Sequence, residues 1–286
     1  MGEQERPTPA ELLDLARAVA TEAADLVRGQ RREGIEVEQT KASPTDVVTA
    51  TDRAAERLIR DRLLAARPDD GFLGEEGSPT DSASGVTWVV DPIDGTVNFL
   101  YGIPQYAVSV AARVGETVVA GVVVDVAGGR CYAATVGGGA TCDGRSLRVR
   151  QAVPVTQRLV LTGFSYVAEV RALQAAAVAR LIPRVRDIRR LGSAALDLCA
   201  VGAGQADGYV EEGLKPWDMA AGALVATEAG AQVRTAPGVG GGTIVLCAPE
   251  DGYAEFAALV SDCGFLDPKV SAEGTAVGNT PQHPVV

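Results

Sequence analysis

Apolar residues recur at three- and four-residue spacing through residues 9–28 (Leu12, Leu15, Ala16, Val19, Ala23, Leu26). That spacing is the stripe of a helix that buries one face, and Thr8-Pro9 supplies its start signal. A second one-sided stripe, Ala55, Leu58, Ile59 and Leu63, predicts a helix over residues 52–66, closed by Pro68. Between the two stripes, residues 33–50 are polar, predict a loop or ribbon, and carry Lys41 and Asp46.

From residue 71 to 149 the pattern shifts to short β-branched runs separated by Gly, Asp or Pro: 86–90, 106–113, 117–124, 130–135 and 147–150. These predict a largely antiparallel meander. Beyond residue 158 strands and helices alternate, with extended runs at 159–162, 188–191, 206–211 and 243–248. Helical stretches at 167–181, 193–202, 218–229 and 249–263 lie between and after them, and residues 238–242 read as a Gly-rich turn. The expected fold class is α/β, layered, with helices between and outside sheets. One unit over 8–266 is expected, an antiparallel-sheet half at about 8–150 fused to an α/β half at about 151–266, with flexible tails at 1–7 and 267–286.

Composition narrows the chemistry. With 286 residues, 47% of them hydrophobic, the chain can bury a full core. No apolar run reaches the roughly 20 residues of a membrane span, and the longest candidate, 118–126, is interrupted by Gly121 and Asp125. The start of the chain shows no secretory pattern, so no membrane association and a cytoplasmic location are expected. A formal net charge of −11 argues against nucleic acid as a partner. An acidic protein can still hold a phosphate if it first binds cations. The five cysteines form no CxxC pair and read as buried thiols. His283, in an aperiodic tail, is the only histidine of the chain. Its placement excludes Ser-His-Asp and Cys-His catalysis and ordinary zinc sites. Carboxylates, hydroxyls, lysine and hard cations remain.

Three carboxylate motifs fall where predicted strands end or helices begin, common places for ligand sites in α/β proteins: Gly74-Glu75-Glu76-Gly77, Asp91-Pro92-Ile93-Asp94-Gly95-Thr96, and Trp217-Asp218. In the second, Pro92 is expected to block the ladder and Gly95 to allow a tight turn, so that Asp91 and Asp94 point into one pocket. Carboxylates held that close repel unless a divalent cation sits between them. Oxygen ligands without His or Cys select magnesium, manganese or calcium over zinc. The turn then starts a short helix, where Gly95 and Thr96 offer N–H groups to a phosphate oxygen. Each motif alone also fits an ordinary loop charge or helix cap. Their combination is the informative feature.

With these motifs the sequence resembles the inositol monophosphatase family, part of the lithium-sensitive magnesium-dependent phosphatases. The resemblance spans about residues 12–265 and rests on Gly-Glu-Glu at 74–76, Trp-Val-Val-Asp-Pro-Ile-Asp-Gly-Thr-Val-Asn-Phe at 88–99 and Trp-Asp-Met-Ala-Ala-Gly-Ala at 217–223. Lys-Ala-Ser-Pro-Thr-Asp-Val-Val-Thr-Ala-Thr-Asp at 41–52 precedes them with the family's spacing. The resemblance implies an αβαβα sandwich of the sugar-phosphatase type, two or three Mg2+ per site, and a homodimer. It implies side-chain metal ligands at Glu75, Asp91, Asp94 and Asp218, a backbone ligand at Ile93, and a water-activating pair of Thr96 and Asp52, with Glu75 also counted as catalytic. It places the substrate phosphate on the amides of Gly95 and Thr96, and the polyol against Ser193, Ala194 and Glu211, with Asp94 and Asp218 bordering both. The helix opening at Gly192-Ser193 is expected to present its N-terminus to an anion, and Lys41 to approach the cluster from the early loop.

The implied reaction is hydrolysis of a small phosphate monoester, with inositol 1-phosphate leading, by direct attack of a metal-activated water. Fructose 1,6-bisphosphate, a 3′-phosphoadenosine nucleotide and histidinol phosphate are the alternatives within the superfamily. A second phosphate or an adenine ring would need a further basic or aromatic subsite, for which the sequence offers Arg189, Arg190 and Lys215. A non-catalytic scaffold would be free to lose carboxylates, and all of them are present.

Overall fold

The N-terminal stripes become two helices laid on one sheet. The computed structural model describes residues 7–33, 37–40 and 47–269; Lys41, Asp46, His283 and most of the two tails lie outside the described residues. Helix α1 (Pro9–Glu33) runs beyond the expected end, with Arg31 and Arg32 in its last turn, where basic side chains complement the helix dipole. Strands β1 (Val37–Thr40) and β2 (Val47–Thr49) pair antiparallel. Helix α2 (Ala50–Ala66) follows directly, capped by Thr49.

A seven-stranded sheet comes next. It comprises β3 (Gly71–Gly74) and β4 (Val86–Asp94), then, after the short helix α3 (Thr96–Tyr101), β5 (Ala107–Val114) and β6 (Thr117–Asp125), and finally β7 (Cys131–Thr135), β8 (Gly139–Cys142) and β9 (Arg145–Ser146). All its neighbours are antiparallel except β3 and β4, which run parallel. The expected strand at 147–150 is absent. The meander instead closes through the Asp143-Gly144 turn, both residues at positive φ, and the Val149 amide is taken by Ala229 O.

The second sheet has order β11-β10-β12-β14-β13. Its members are β10 (Leu159–Thr162), β11 (Asp187–Arg189), β12 (Gly208–Glu212), β13 (Ala231–Pro237) and β14 (Thr243–Pro249). Strand β13, not expected from the sequence, is an edge strand joined to β14 by the Gly-rich turn. The helices are α4 (Ala168–Leu181), α5 (Ala194–Gly202), α6 (Pro216–Glu228) and α7 (Tyr253–Asp262).

Alternation along the strands assigns the layers. Trp88 and Val90 of β4 and Val108 and Val110 of β5 bury with Ala16 and Val19 of α1 and Ile59 of α2, whereas Val89, Ala107 and Ala111 bury with Ala195 of α5 and Ala221 of α6. In the second sheet, Tyr209, Val245 and Cys247 face α5 and α6, and Val210, Ile244 and Leu246 bury with Ala177 of α4 and Phe256 of α7. The result is an αβαβα sandwich with α5 and α6 as the middle layer.

A helix pressed from both sides needs small residues, which accounts for Ala220-Ala221-Gly222-Ala223. A Cβ added at Gly121 of β6 would stand 2.9 Å from Ala221 Cα, and one added at Gly222 would stand 2.9 Å from Ala195 O.

Candidate active site

The carboxylate motifs meet at the inner face of the first sheet, beside the middle helices. In β4, Asp91 pairs with Ser109 and Asp94 with Ala107, a register shift that inserts one extra residue on the β4 side. Pro92, expected to block the ladder, interrupts the pairing, but the strand resumes at Asp94. It lacks the N–H of a ladder residue, and the chain passes it as a bulge, which re-aims side chains. Residues three apart would ordinarily point to opposite faces. The extra residue returns Asp94 to the face of Asp91. Because β3 runs parallel to β4 with Gly74 opposite Val90, Glu75 follows next to Asp91.

Asp91 is 2% and Asp94 8% exposed. Burial, and then the charges of Glu75, Asp94 and Asp218, push the Asp91 carboxyl well above its ordinary range. Asp218, at the third position of α6, is pushed well up by burial and by Asp94, against the Lys215 amide that donates to its Oδ2 at 2.7 Å. Asp94 is pushed up to about 6, burial outweighing the donors of Ser193, Ala195 and Ala194. Those donors are Ser193 Oγ at 2.5 Å, Ala195 N at 2.7 Å and Ala194 N at 3.3 Å. The N-terminus of α5, expected to present itself to an anion, holds the Asp94 carboxylate.

The ligands that the resemblance implies offer oxygen alone: carboxylates of Glu75, Asp91, Asp94 and Asp218 and the Ile93 carbonyl. No cationic side chain figures among the groups acting most strongly on the three aspartates. Such a set fits a hard divalent cation. No three acidic, histidine or cysteine side chains among the described residues have the spacing of a closed ion cage. Asp94 and Asp218 accept amide hydrogen bonds at the starts of α5 and α6, which leaves lone pairs on each carboxylate for an ion.

Thr96 opens α3. Gly95, at φ 95°, turns the chain there, and a Cβ would stand 2.9 Å from Gln105 O and 3.0 Å from Gly192 O, so glycine is required. Thr96 Oγ1 lies 3.1 Å from both Asp52 Oδ1 and Ile93 O. Asp52, fully buried, occupies the third position of α2, and its Oδ2 accepts the Thr49 amide at 2.9 Å and the Thr49 hydroxyl. Burial raises Asp52 to about 6 against these bonds, with Glu76 and Glu75 adding to the rise. Asn98, 4% exposed, ties α3 to the segment that leads into α5 by donating to Gln105 O at 2.8 Å and Leu191 O at 2.7 Å.

On β12, Glu211 shares the face of Tyr209 toward the middle layer, and Tyr209 Oη donates to Glu211 Oε2 at 2.8 Å. Burial pushes Glu211 up to about 7, with Asp94 adding to the rise and Tyr209 and Arg190 opposing it. Gly163 leaves room for this side chain: a Cβ there would stand 2.0 Å from Glu211 Cδ. Of the basic residues considered, exposed Arg189 pairs with Asp187, while Arg190 reaches Glu211 electrostatically.

Two further acids were not singled out from the sequence. Asp197 of α5, 1% exposed, has no hydrogen-bond partner for either carboxylate oxygen among the described residues. Burial, Glu211 and Asp94 push it well up. Glu56 of α2 is 5% exposed. An acid among apolar helix positions carries no motif, so only its tertiary neighbours identify it.

A model of the inositol monophosphatase family matches residues 8–264. An inositol-1-monophosphatase of Mycobacterium bovis is 48% identical over 280 residues, covering 91% of this chain and 97% of that protein. Inositol monophosphatase 1 of Sus scrofa is 37% identical over 228 residues, covering 77% and 82% respectively. The solved structure of Mycobacterium tuberculosis SuhB superposes with a TM-score of 0.79 at 44% identity, covering 91% of this chain and 99% of that one. Fold and site thus define a metal-dependent phosphatase, a phosphoric monoester hydrolase. The chain belongs to the inositol monophosphatase family.

Proposed function

We propose that the site hydrolyses the phosphate monoester of a small polyol, inositol 1-phosphate first, with magnesium held by Glu75, Asp91, Asp94, Asp218 and the Ile93 carbonyl. Bound divalent cations would polarise the phosphate, ease deprotonation of the attacking water and stabilise the leaving oxygen. The chain's own residues do the rest. The Thr96 hydroxyl, donating to Asp52 Oδ1, keeps its lone pairs for the attacking water. A proton taken there has Asp52 as its acceptor, and the Thr49 bonds hold that carboxylate in place. The amides of Gly95 and Thr96 lie where α3 begins and suit a phosphate oxygen.

The polyol assignment rests on Glu211. A carboxylate braced by Tyr209, facing the same layer as Asp94, can accept hydrogen bonds from two vicinal hydroxyls. The name inositol-1-monophosphatase carried by the mycobacterial relative supports this reading. Of the basic residues that could serve a second phosphate, exposed Arg189 is engaged by Asp187, and Arg190 acts on Glu211.

Substrate profiling tests the reading. Catalytic efficiency for inositol 1-phosphate should exceed that for fructose 1,6-bisphosphate and adenosine 3′,5′-bisphosphate by at least about tenfold, the effect of roughly 1.4 kcal/mol in transition-state binding. A preference for either bisphosphate would overturn it.

A further inference from the structure

Asp52, Glu56 and Arg60 follow one another at one-turn spacing on α2 and so share a face of the helix. Asp52 reaches Thr96, and the other two reach the turn that carries Glu75. Glu56 Oε2 accepts the Glu76 amide at 2.7 Å. A Cβ added at Gly74 would stand 2.3 Å from Glu56 Oε2, and one added at Gly77 would stand 2.6 Å from Oε1. The carboxylate is therefore slotted between the two glycines that bracket Glu75 and Glu76. Arg60 fastens the far end, its Nη1 donating to Ser78 O at 3.1 Å and its guanidinium lying 4.9 Å from the centre of the Phe72 ring.

An acid is an expensive filler in this place. Burial raises the Glu56 carboxyl above the ordinary range, and Glu76 and Glu75 add to the rise. An apolar side chain would fill the space without that penalty. What an oxygen supplies and a hydrocarbon cannot is an acceptor for the Glu76 amide.

We propose that Glu56 is a positioning residue for the cation site: by holding the Glu76 amide between Gly74 and Gly77, it fixes the backbone of the turn and so sets where Glu75 stands beside Asp91. This rests on the reading of Glu75 as a cation ligand. Glu56 itself touches neither substrate nor cation. Its effect is on affinity for the ion, through the geometry of one ligand.

The test is magnesium binding by titration calorimetry on the full chain without substrate, with thermal melts in chelator to check folding. Glu56→Ala should weaken magnesium binding roughly 10- to 100-fold, the usual effect of removing a group that orients a ligand, while turnover at saturating magnesium stays within about threefold. Glu56→Gln keeps an acceptor oxygen and should bind magnesium within about threefold of wild type. If Glu56→Gln is as weak as Glu56→Ala, charge and not position is the cause, and the proposal fails. Glu75→Gln is the control. If it binds magnesium like wild type, the reading of the cation site is wrong; if it loses magnesium while Glu56→Ala does not, only the Glu56 proposal falls. Should Glu56→Ala not fold, Gly77→Ala pushes on the same carboxylate and should weaken binding in the same range. Unchanged binding in Gly77→Ala would then overturn the proposal.

Discussion

Asp91 and Asp94 lie on the same face of one strand although three positions separate them, because a one-residue bulge at Pro92-Ile93 sets Asp91 opposite Ser109 and Asp94 opposite Ala107. A regular strand would send one of the two to the opposite face, among the side chains buried under α1 and α2. The bulge is what places both acids toward α5 and α6, where Asp218 and Ser193 enter.

The Thr96 hydroxyl between Asp52 and Ile93 yields the first prediction. Thr96→Val keeps the shape of the side chain and removes the path for the proton. Turnover should fall by roughly 10²- to 10⁴-fold, the range for loss of general-base assistance, in a protein that still folds. Thr96→Ser should restore most of the rate. Steady-state turnover of the three proteins decides it, and a valine variant within tenfold of wild type, on the order of 1.4 kcal/mol, would remove Thr96 from the chemistry.

Glu211 should discriminate between leaving groups. Its removal takes hydrogen bonds from a polyol but nothing from an aryl phosphate, which has no hydroxyls. A hydrogen bond to a charged acceptor is worth about 1.5–3 kcal/mol, so Glu211→Ala should lower efficiency on inositol 1-phosphate roughly 10- to 150-fold. Hydrolysis of p-nitrophenyl phosphate should change only a few-fold. Equal losses on both substrates would show that Glu211 serves the fold or the cation site.

The same residue predicts a pH dependence of stability. Burial raises Glu211 to about 7 from an ordinary value of 4.5. The folded state therefore keeps a proton that the unfolded state has lost, and stability falls as pH rises between those two values. Glu211→Gln carries no such penalty and still accepts the Tyr209 hydroxyl. In chelator, the glutamine variant should match wild type near about pH 4.5 and exceed it by on the order of 1–3 kcal/mol at about pH 8. Chemical denaturation at the two pH values checks this, and a constant difference between the proteins would contradict it.

Much of this was legible in the sequence because it is periodic or local. The α1 stripe from Leu12 to Leu26 and the Asp91 to Thr96 motif each announce themselves within a short stretch of chain. Strand β13 was not legible: Arg234 and Thr235 are exposed on an edge strand whose pattern is set by its pairing with β14. Strands β8 and β9 were missed despite the Asp143-Gly144 turn because they are only 4 and 2 residues long. The bulge at Pro92 depends on β5, and the roles of Glu56 and Asn98 depend on residues 20 and 93 positions away. Local pattern cannot report such contacts.

Phosphate release as a function of magnesium concentration, on wild type and Asp91→Asn, tests most directly whether the buried acids serve a cation. Wild type should release no phosphate in excess chelator, recover with magnesium and respond poorly to calcium, whose larger and looser shell misplaces the reacting groups. The substituted side chain keeps a carbonyl oxygen for the Ile93 amide, which Asp91 accepts at 3.0 Å. Asp91→Asn should therefore fold, melt no lower than wild type in chelator, and turn over at least about a hundredfold more slowly with magnesium. Full activity in chelator, or near-normal turnover in Asp91→Asn, would contradict the assignment of these carboxylates to a metal site.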